Sequence, residues 1–334
     1  MMRSSGRHLF DWVLFAACTI VGARSAIGQP PAHDAPPRHG AFPSVSPDGR
    51  YVLFMRDSAG QPTPHVMNAD GSNERPVPGR FFPMSWFPDS KRLFVWIPGG
   101  TRGAPITLAS VNLDGTNLQE IPTGDVKVVG GARLLGDGRT ILFPTATRDS
   151  AGRQSLGLNL MEIDGSHVRR VPIPPLAGRM VGMAAASRDR RRLAFVVADT
   201  SDPTSYARST TLYVVNVDGT NLREVATLPN LIEQPAWSPD GGTIAVQHSG
   251  RTPPIGTPMP ADHVPDANLV VIDVETDVIR PITHRNRHYL DEVPSWAPNR
   301  YIYFQSTRDG PMEIYRMKAD GSEQVRITGA RRGK

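Results

Sequence analysis

The sequence predicts an all-β fold, a six-bladed β-propeller of four-stranded antiparallel blades, and two observations carry that expectation. A turn of the Ser-Pro-Asp-Gly type, set between short apolar runs, recurs six times, and a hairpin centred on Asp-Gly follows it in five of the six units. Repeats of roughly 40–50 residues built only from strand-like segments are the signature of a propeller, because no single repeat can bury its own faces.

The clearest copy is 234–246, QPAWSPDGGTIAV. Pro presets φ near the start of the turn, Asp bonds its own backbone and Gly accepts positive φ. Apolar strand patterns flank it on both sides, so it reads as a hairpin corner rather than a helix start. In chain order, Val45-Ser46-Pro47-Asp48-Gly49 leads into Val52-Leu53-Phe54, and Trp86-Phe87-Pro88-Asp89 into Leu93-Phe94-Val95. Leu134-Leu135-Gly136-Asp137-Gly138 precedes Ile141-Leu142-Phe143, and Ala186-Ser187-Arg188-Asp189 precedes Leu193-Ala194-Phe195. The last copy, Trp296-Ala297-Pro298-Asn299 before Ile302-Tyr303-Phe304, is one residue shorter. The turn Asp (Asn in the last copy) falls at 48, 89, 137, 189, 240 and 299, in steps of 41, 48, 52, 51 and 59.

The second hairpin is Asn68-Ala69-Asp70-Gly71-Ser72, echoed by Asp114-Gly115, Asp164-Gly165, Asp218-Gly219 and Asp320-Gly321. Asp-Gly between β-rich runs is a strong hairpin signal. Unit five has Glu275-Thr276-Asp277 instead. Each unit therefore reads as strands A to D: A before the first turn, B after it, C before Asp-Gly and D after. Trp86, Trp237 and Trp296 stand where strand A meets the turn and are expected to pack between blades. The equivalent places carry Val45, Leu134 and Ala186.

Taken together, the repeats resemble the TolB-like, WD-repeat-like β-propeller family, most clearly in the last unit, WAPNRYIYFQSTRDGPMEIYRMKADGSEQVRIT. The resemblance runs from Phe42 to Thr328, and the propeller is assigned to 42–334. It implies a fold shared by peptidases, Tol-system proteins and exported proteins without an assigned role. The family's peptidases carry their triad on a separate α/β-hydrolase domain, and TolB adds an N-terminal α/β domain. The 334 residues are expected to hold neither. The G-x-S-x-G, H-E-x-x-H, G-x-G-x-x-G and P-loop signatures are also missing from the sequence, so a catalytic role has no motif behind it.

Residues 1–28 read as a signal peptide, with Arg3 and Arg7 ahead of the apolar run Leu9–Val21 and small residues Ala26-Ile27-Gly28 at the cleavage point. The only cysteine, Cys18, follows Leu14-Phe15-Ala16-Ala17, which partly matches a lipoprotein box. Export to the periplasm or the exterior is expected, with a lipid anchor through Cys18 as the alternative and no transmembrane span in the mature chain. Residues 29–41, QPPAHDAPPRHGA, read as an extended Pro-rich linker. The formal charge is +5 and its basic residues are scattered. Nucleic-acid binding, which needs a clustered basic face, is not expected.

In such a ring the A–B and C–D turns share one face, and the B–C and D–A connections share the other. Several of the latter are long (145–157, 198–211, 247–267 and 283–294). Long loops on a rigid scaffold are where binding resides. An envelope protein, peptide or glycan is the expected partner on that face. Glu233 and Glu292 each precede a Pro by two residues and a Trp by four, which places both at the start of strand A near the central channel. The run His284-Arg285-Asn286-Arg287-His288-Tyr289-Leu290-Asp291-Glu292 gathers imidazoles and carboxylates, the side chains that bind zinc-like metals. The candidate binding residues are Glu233, His284, His288, Asp291, Glu292, Arg148 and Arg308. No cofactor is expected. The alternative is a divalent metal on His284, His288 and Glu292, with His248 or His263 recruited, serving a polysaccharide lyase or hydrolase. Arg56-Asp57-Ser58, Arg148-Asp149-Ser150 and Arg308-Asp309-Gly310 repeat one pattern, read here as a structural turn with an ion pair.

Overall fold

In a computed structural model of the chain, the described residues are 40–329, except 59–60, 99–105, 125, 127, 129–130, 149–153, 175–179, 200–206, 251–265 and 285–288. The segment read as a signal peptide and most of the segment read as a linker lie outside them. Six four-stranded antiparallel sheets follow one another, each with its strands in sequence order. The inner strands A are Ala41–Val45, Phe82–Trp86, Arg133–Leu134, Met180–Ala186, Ile232–Trp237 and Asp291–Trp296. The outer strands D run from Arg75–Pro76 in blade 1 to Val325–Arg326 in blade 6. No helix among the described residues is long and apolar enough to cross a membrane.

The repeated motifs do the structural work their chemistry suggests. Ser46 donates its hydroxyl to Asp48 at 2.6 Å, and Asp48 in turn accepts the Arg50 amide at 3.0 Å. Ser238 and Asp240 repeat the same bonds. In the shortened last copy the positive φ falls on Arg300 rather than on a glycine. The Asp-Gly glycines have a second role beyond the hairpin. A Cβ on Gly71 would lie 2.5 Å from the Ile327 carbonyl oxygen of blade 6, and one on Gly115 would lie 2.5 Å from that of Pro78 in blade 1. Glycine thus lets the C–D turn sit against the preceding blade in five of the six units. Unit five, which lacks the glycine, forms a different turn in which Asp273 accepts the amides of Glu275 and Thr276. Asp277 there takes φ 59° and pairs with Arg223 of blade 4 at 2.7 Å.

Apolar clusters fill the spaces between blades. Val52, Phe54 and Met67 of blade 1 pack with Tyr303, Ile314 and Ile327 of blade 6. That seam closes the ring, and the Gly40 amide adds a bond to the Met312 carbonyl at 2.9 Å and the Tyr303 hydroxyl one to the Ala69 carbonyl at 2.8 Å. Trp86 and Trp237 are buried, and their indoles donate to the carbonyls of Ser44 and Ala185 in the preceding blade, both at 3.1 Å. Trp296 packs between blades as well but is only half-buried, and its buried indole N–H has no partner among the described residues.

The long connections are shorter than the sequence reading suggests wherever the strands extend into them. In blade 3, strands B and C pair as far as Arg148 opposite Gln154, and in blade 4 as far as Asp199 opposite Ser209. β-Branched and apolar residues carry the ladder past the point where turn-forming residues first appear.

Candidate functional site at the channel mouth

Strand A enters each blade from the long-loop face. In blades 1, 5 and 6 it carries a bulge whose second residue has positive φ: Phe42 (56°), Gln234 (53°) and Val293 (51°). Proline follows each of them. A β-branched valine in that conformation is strained, so the surrounding contacts must hold it. Two glutamines do so. The Gln247 side-chain oxygen accepts the Val293 amide at 3.3 Å, and that of Gln305 accepts the Phe42 amide at 2.8 Å. Each glutamine sits on strand B of one blade and reaches the bulge of the next.

The same glutamines fix Glu292. Its Oε2 accepts from Gln305 Nε2 at 2.8 Å, and its Oε1 from Gln247 Nε2 at 3.4 Å across the blade 5–6 seam. Gln247 also donates to Ser249 at 3.1 Å. Glu233 occupies the equivalent place in blade 5, opposite Gln247 in the ladder, where it is half-buried and engaged in polar contact. The result is an acceptor ledge on blades 5 and 6 with a preset carboxylate. The same level of blades 1 and 2 carries apolar Met55, Phe82 and Trp96. Sequence reasoning found the two glutamates and missed the glutamines. Their signal was there, since Gln247 and Gln305 fall at one position of the repeat, in Ile-Ala-Val-Gln and Ile-Tyr-Phe-Gln.

Asp291 is not on this ledge. It is fully buried and pairs with Arg308 at 2.7 Å. The Arg308 guanidinium also bonds Ser306 and Gln324, and it lies 5.4, 5.2 and 4.9 Å from the ring centroids of Tyr289, Phe304 and Tyr315. This pair belongs to the blade 6 interior. In the Arg-Asp-Gly triplet the arginine thus finds Asp291, while Asp309 accepts the Tyr315 hydroxyl at 2.5 Å. Burial first, and that bond second, push the Tyr315 hydroxyl far above its usual range. Arg56 pairs with Glu74. Arg148 ends strand B of blade 3.

His284 is exposed beyond strand D of blade 5. His248 lies with Nε2 2.9 Å from the Pro229 carbonyl oxygen, against blade 4. His263 and His288 lie outside the described residues. Among the described residues, no three His, Cys, Asp or Glu side chains gather as a metal-holding group.

No family model matches the chain. An uncharacterised protein from Agrobacterium fabrum is 29% identical over 134 residues, a match spanning 40% of this chain and 40% of that protein. TolB from Acinetobacter baumannii superposes with a TM-score of 0.57 at 17% identity, over 84% of this chain and 61% of TolB. The tricorn protease gives a TM-score of 0.57 at 10% identity, over 92% of this chain and 36% of the protease. Oligogalacturonate lyase in complex with manganese gives 0.53 at 14% identity, over 87% of this chain and 95% of the lyase. At these identities the likeness is one of fold, and by that measure the chain is a TolB-like six-bladed β-propeller.

Proposed function

We propose that the chain is an exported, non-enzymatic propeller that binds a protein, peptide or glycan through its long-loop face. The observation behind this reading is the Glu292 carboxylate, held by Gln247 and Gln305 at the long-loop end of strand A. A fixed carboxylate of this kind receives an amine, an amide or a sugar hydroxyl without reorganising. The apolar opening of the sequence supports export, and lipid anchoring through Cys18 is the alternative route to the envelope. Capture of partners from an envelope fraction tests the reading, with a variant lacking residues 251–265 as the control. A partner lost with the loop supports it, and an unchanged set of partners overturns the face assignment.

A second reading is favoured by the fold likeness to manganese-bound oligogalacturonate lyase: a metal-dependent lyase or hydrolase using His284, His288 and Glu292. The described donors do not fit a metal site. His284 is exposed, and no three His, Cys, Asp or Glu side chains gather among the described residues, so no step is derived through a metal. Elemental analysis after soaking in manganese or zinc decides this reading, since stoichiometric metal is its requirement.

A further inference from the structure

We propose that the central channel holds an oxyanion site organised by Arg133, which takes a single carboxylate or phosphate group. Arg133 is the second-last residue of the innermost strand of blade 3. The equivalent residues of the other blades are Ser44, Ser85, Ala185, Ala236 and Ser295. All six are half-buried, and five of the six are small. Two of the three short hydroxyls are engaged elsewhere. Ser85 accepts the Leu134 amide at 3.1 Å and Ser295 the Val45 amide at 3.2 Å, each across a blade boundary. Arg133 is therefore the one long side chain in a layer of small residues.

What Arg133 meets there is the argument. Among the described residues its one side-chain hydrogen bond runs from Nη1 to the carbonyl of its neighbour Ala132, at 3.2 Å. No carboxylate among the described residues comes within ion-pair distance. Two other enclosed arginines show the contrast: Arg308 has Asp291 at 2.7 Å and Arg326 has Glu313 at 2.6 Å. A half-buried guanidinium with no counter-charge among the described residues loses hydration without compensation. Desolvation pushes its pKa down to about 10, and no acidic side chain among the described residues offsets that. The planar fork of N–H donors matches a carboxylate or phosphate edge with two parallel bonds. An anion entering the channel supplies what the fold withholds.

The layer lies toward the short-turn end of strand A, several residues from the Glu292 ledge, so this site is separate from the long-loop face. The test uses the full chain in a buffer free of phosphate and carboxylates, titrated with inorganic phosphate and, separately, with acetate. The melting temperature of the wild-type protein should rise saturably with at least one of them. Arg133→Gln should abolish that rise. Ala236→Glu, which places a carboxylate in the same layer and leaves Arg133 intact, should abolish it too, and this second variant decides the matter if the first does not fold. A response to phosphate alone assigns a phosphate site, and one to acetate alone or to both assigns a general oxyanion site. No saturable rise with either anion, or an undiminished rise in both variants, overturns the proposal. Deleting residues 251–265 leaves the expected result unchanged, so this inference and the proposed function fail separately.

Discussion

Trp237 and Trp296 occupy one position of the repeat in different surroundings, and that difference can be measured. Trp237 is 7% exposed, donates to the Ala185 carbonyl and carries the Arg192 guanidinium 4.9 Å from its ring centroid. Trp237→Phe keeps an aromatic ring but leaves that carbonyl without its donor, at a cost of about 1–3 kcal/mol. Trp237→Ala removes the ring as well, and large-to-small changes of this kind cost about 3–5 kcal/mol. At Trp296 the indole N–H is already buried and unpartnered. Trp296→Phe relieves a penalty of about 1–3 kcal/mol while losing a smaller amount of buried apolar contact, so it should be close to neutral. For a domain of this size roughly 2–4 °C of melting temperature follows each kcal/mol. Trp237→Ala should therefore fall by about 6–20 °C, and Trp296→Phe should stay within a few degrees of wild type. Thermal and urea unfolding followed by circular dichroism give both values. Equal losses for Trp237→Phe and Trp296→Phe would refute the claim that the cross-blade indole bond stabilises the ring.

Removing one partner of the buried Arg308–Asp291 pair by Arg308→Met should cost about 3–5 kcal/mol in urea unfolding. The double variant with Asp291→Asn should recover much of it. Gln305→Leu deprives the Phe42 amide of its acceptor and Glu292 of a donor, so hydrogen exchange at Phe42 should speed up and stability should drop by about 1–3 kcal/mol. Asp70, Asp114, Asp164, Asp218 and Asp320 are held below the usual carboxylate range, first by the hydroxyl two residues on and then by its amide. Because the folded pKa is the lower one, the stability they contribute is full above the unfolded value of about 3.9 and is lost as pH falls through the folded values. A melting-temperature profile from neutral pH into acid should bend downward in that window, and less steeply when these residues are changed to Asn.

Much of the fold was legible because its signals repeat. Six turns of one type fix the blade count, and the alternation of the two turns fixes the order of strands within a blade. The Asp-Gly motif was read only as a hairpin, whereas Gly71 and Gly115 also make room for a neighbouring blade, a constraint from a distant segment that local turn chemistry does not reveal. The same limit governs the candidate residues. Asp291 and Glu292 are adjacent, yet alternation along strand A sends the first into the blade interior and leaves the second at the channel mouth. A cluster read along the chain is split by the pleat. Arg133 was invisible for a different reason: its meaning lies in the five small residues that surround it in the ring and not in its own sequence neighbours.

The most direct test of the functional account is the affinity of a captured envelope partner for wild-type protein and for Glu292→Gln, with folding of both checked by circular dichroism. If the preset carboxylate forms the contact, affinity should fall tenfold or more, which is about 1.4 kcal/mol of binding free energy, in a variant that keeps its β-sheet spectrum. A folded Glu292→Gln protein that binds the partner with undiminished affinity would contradict the account.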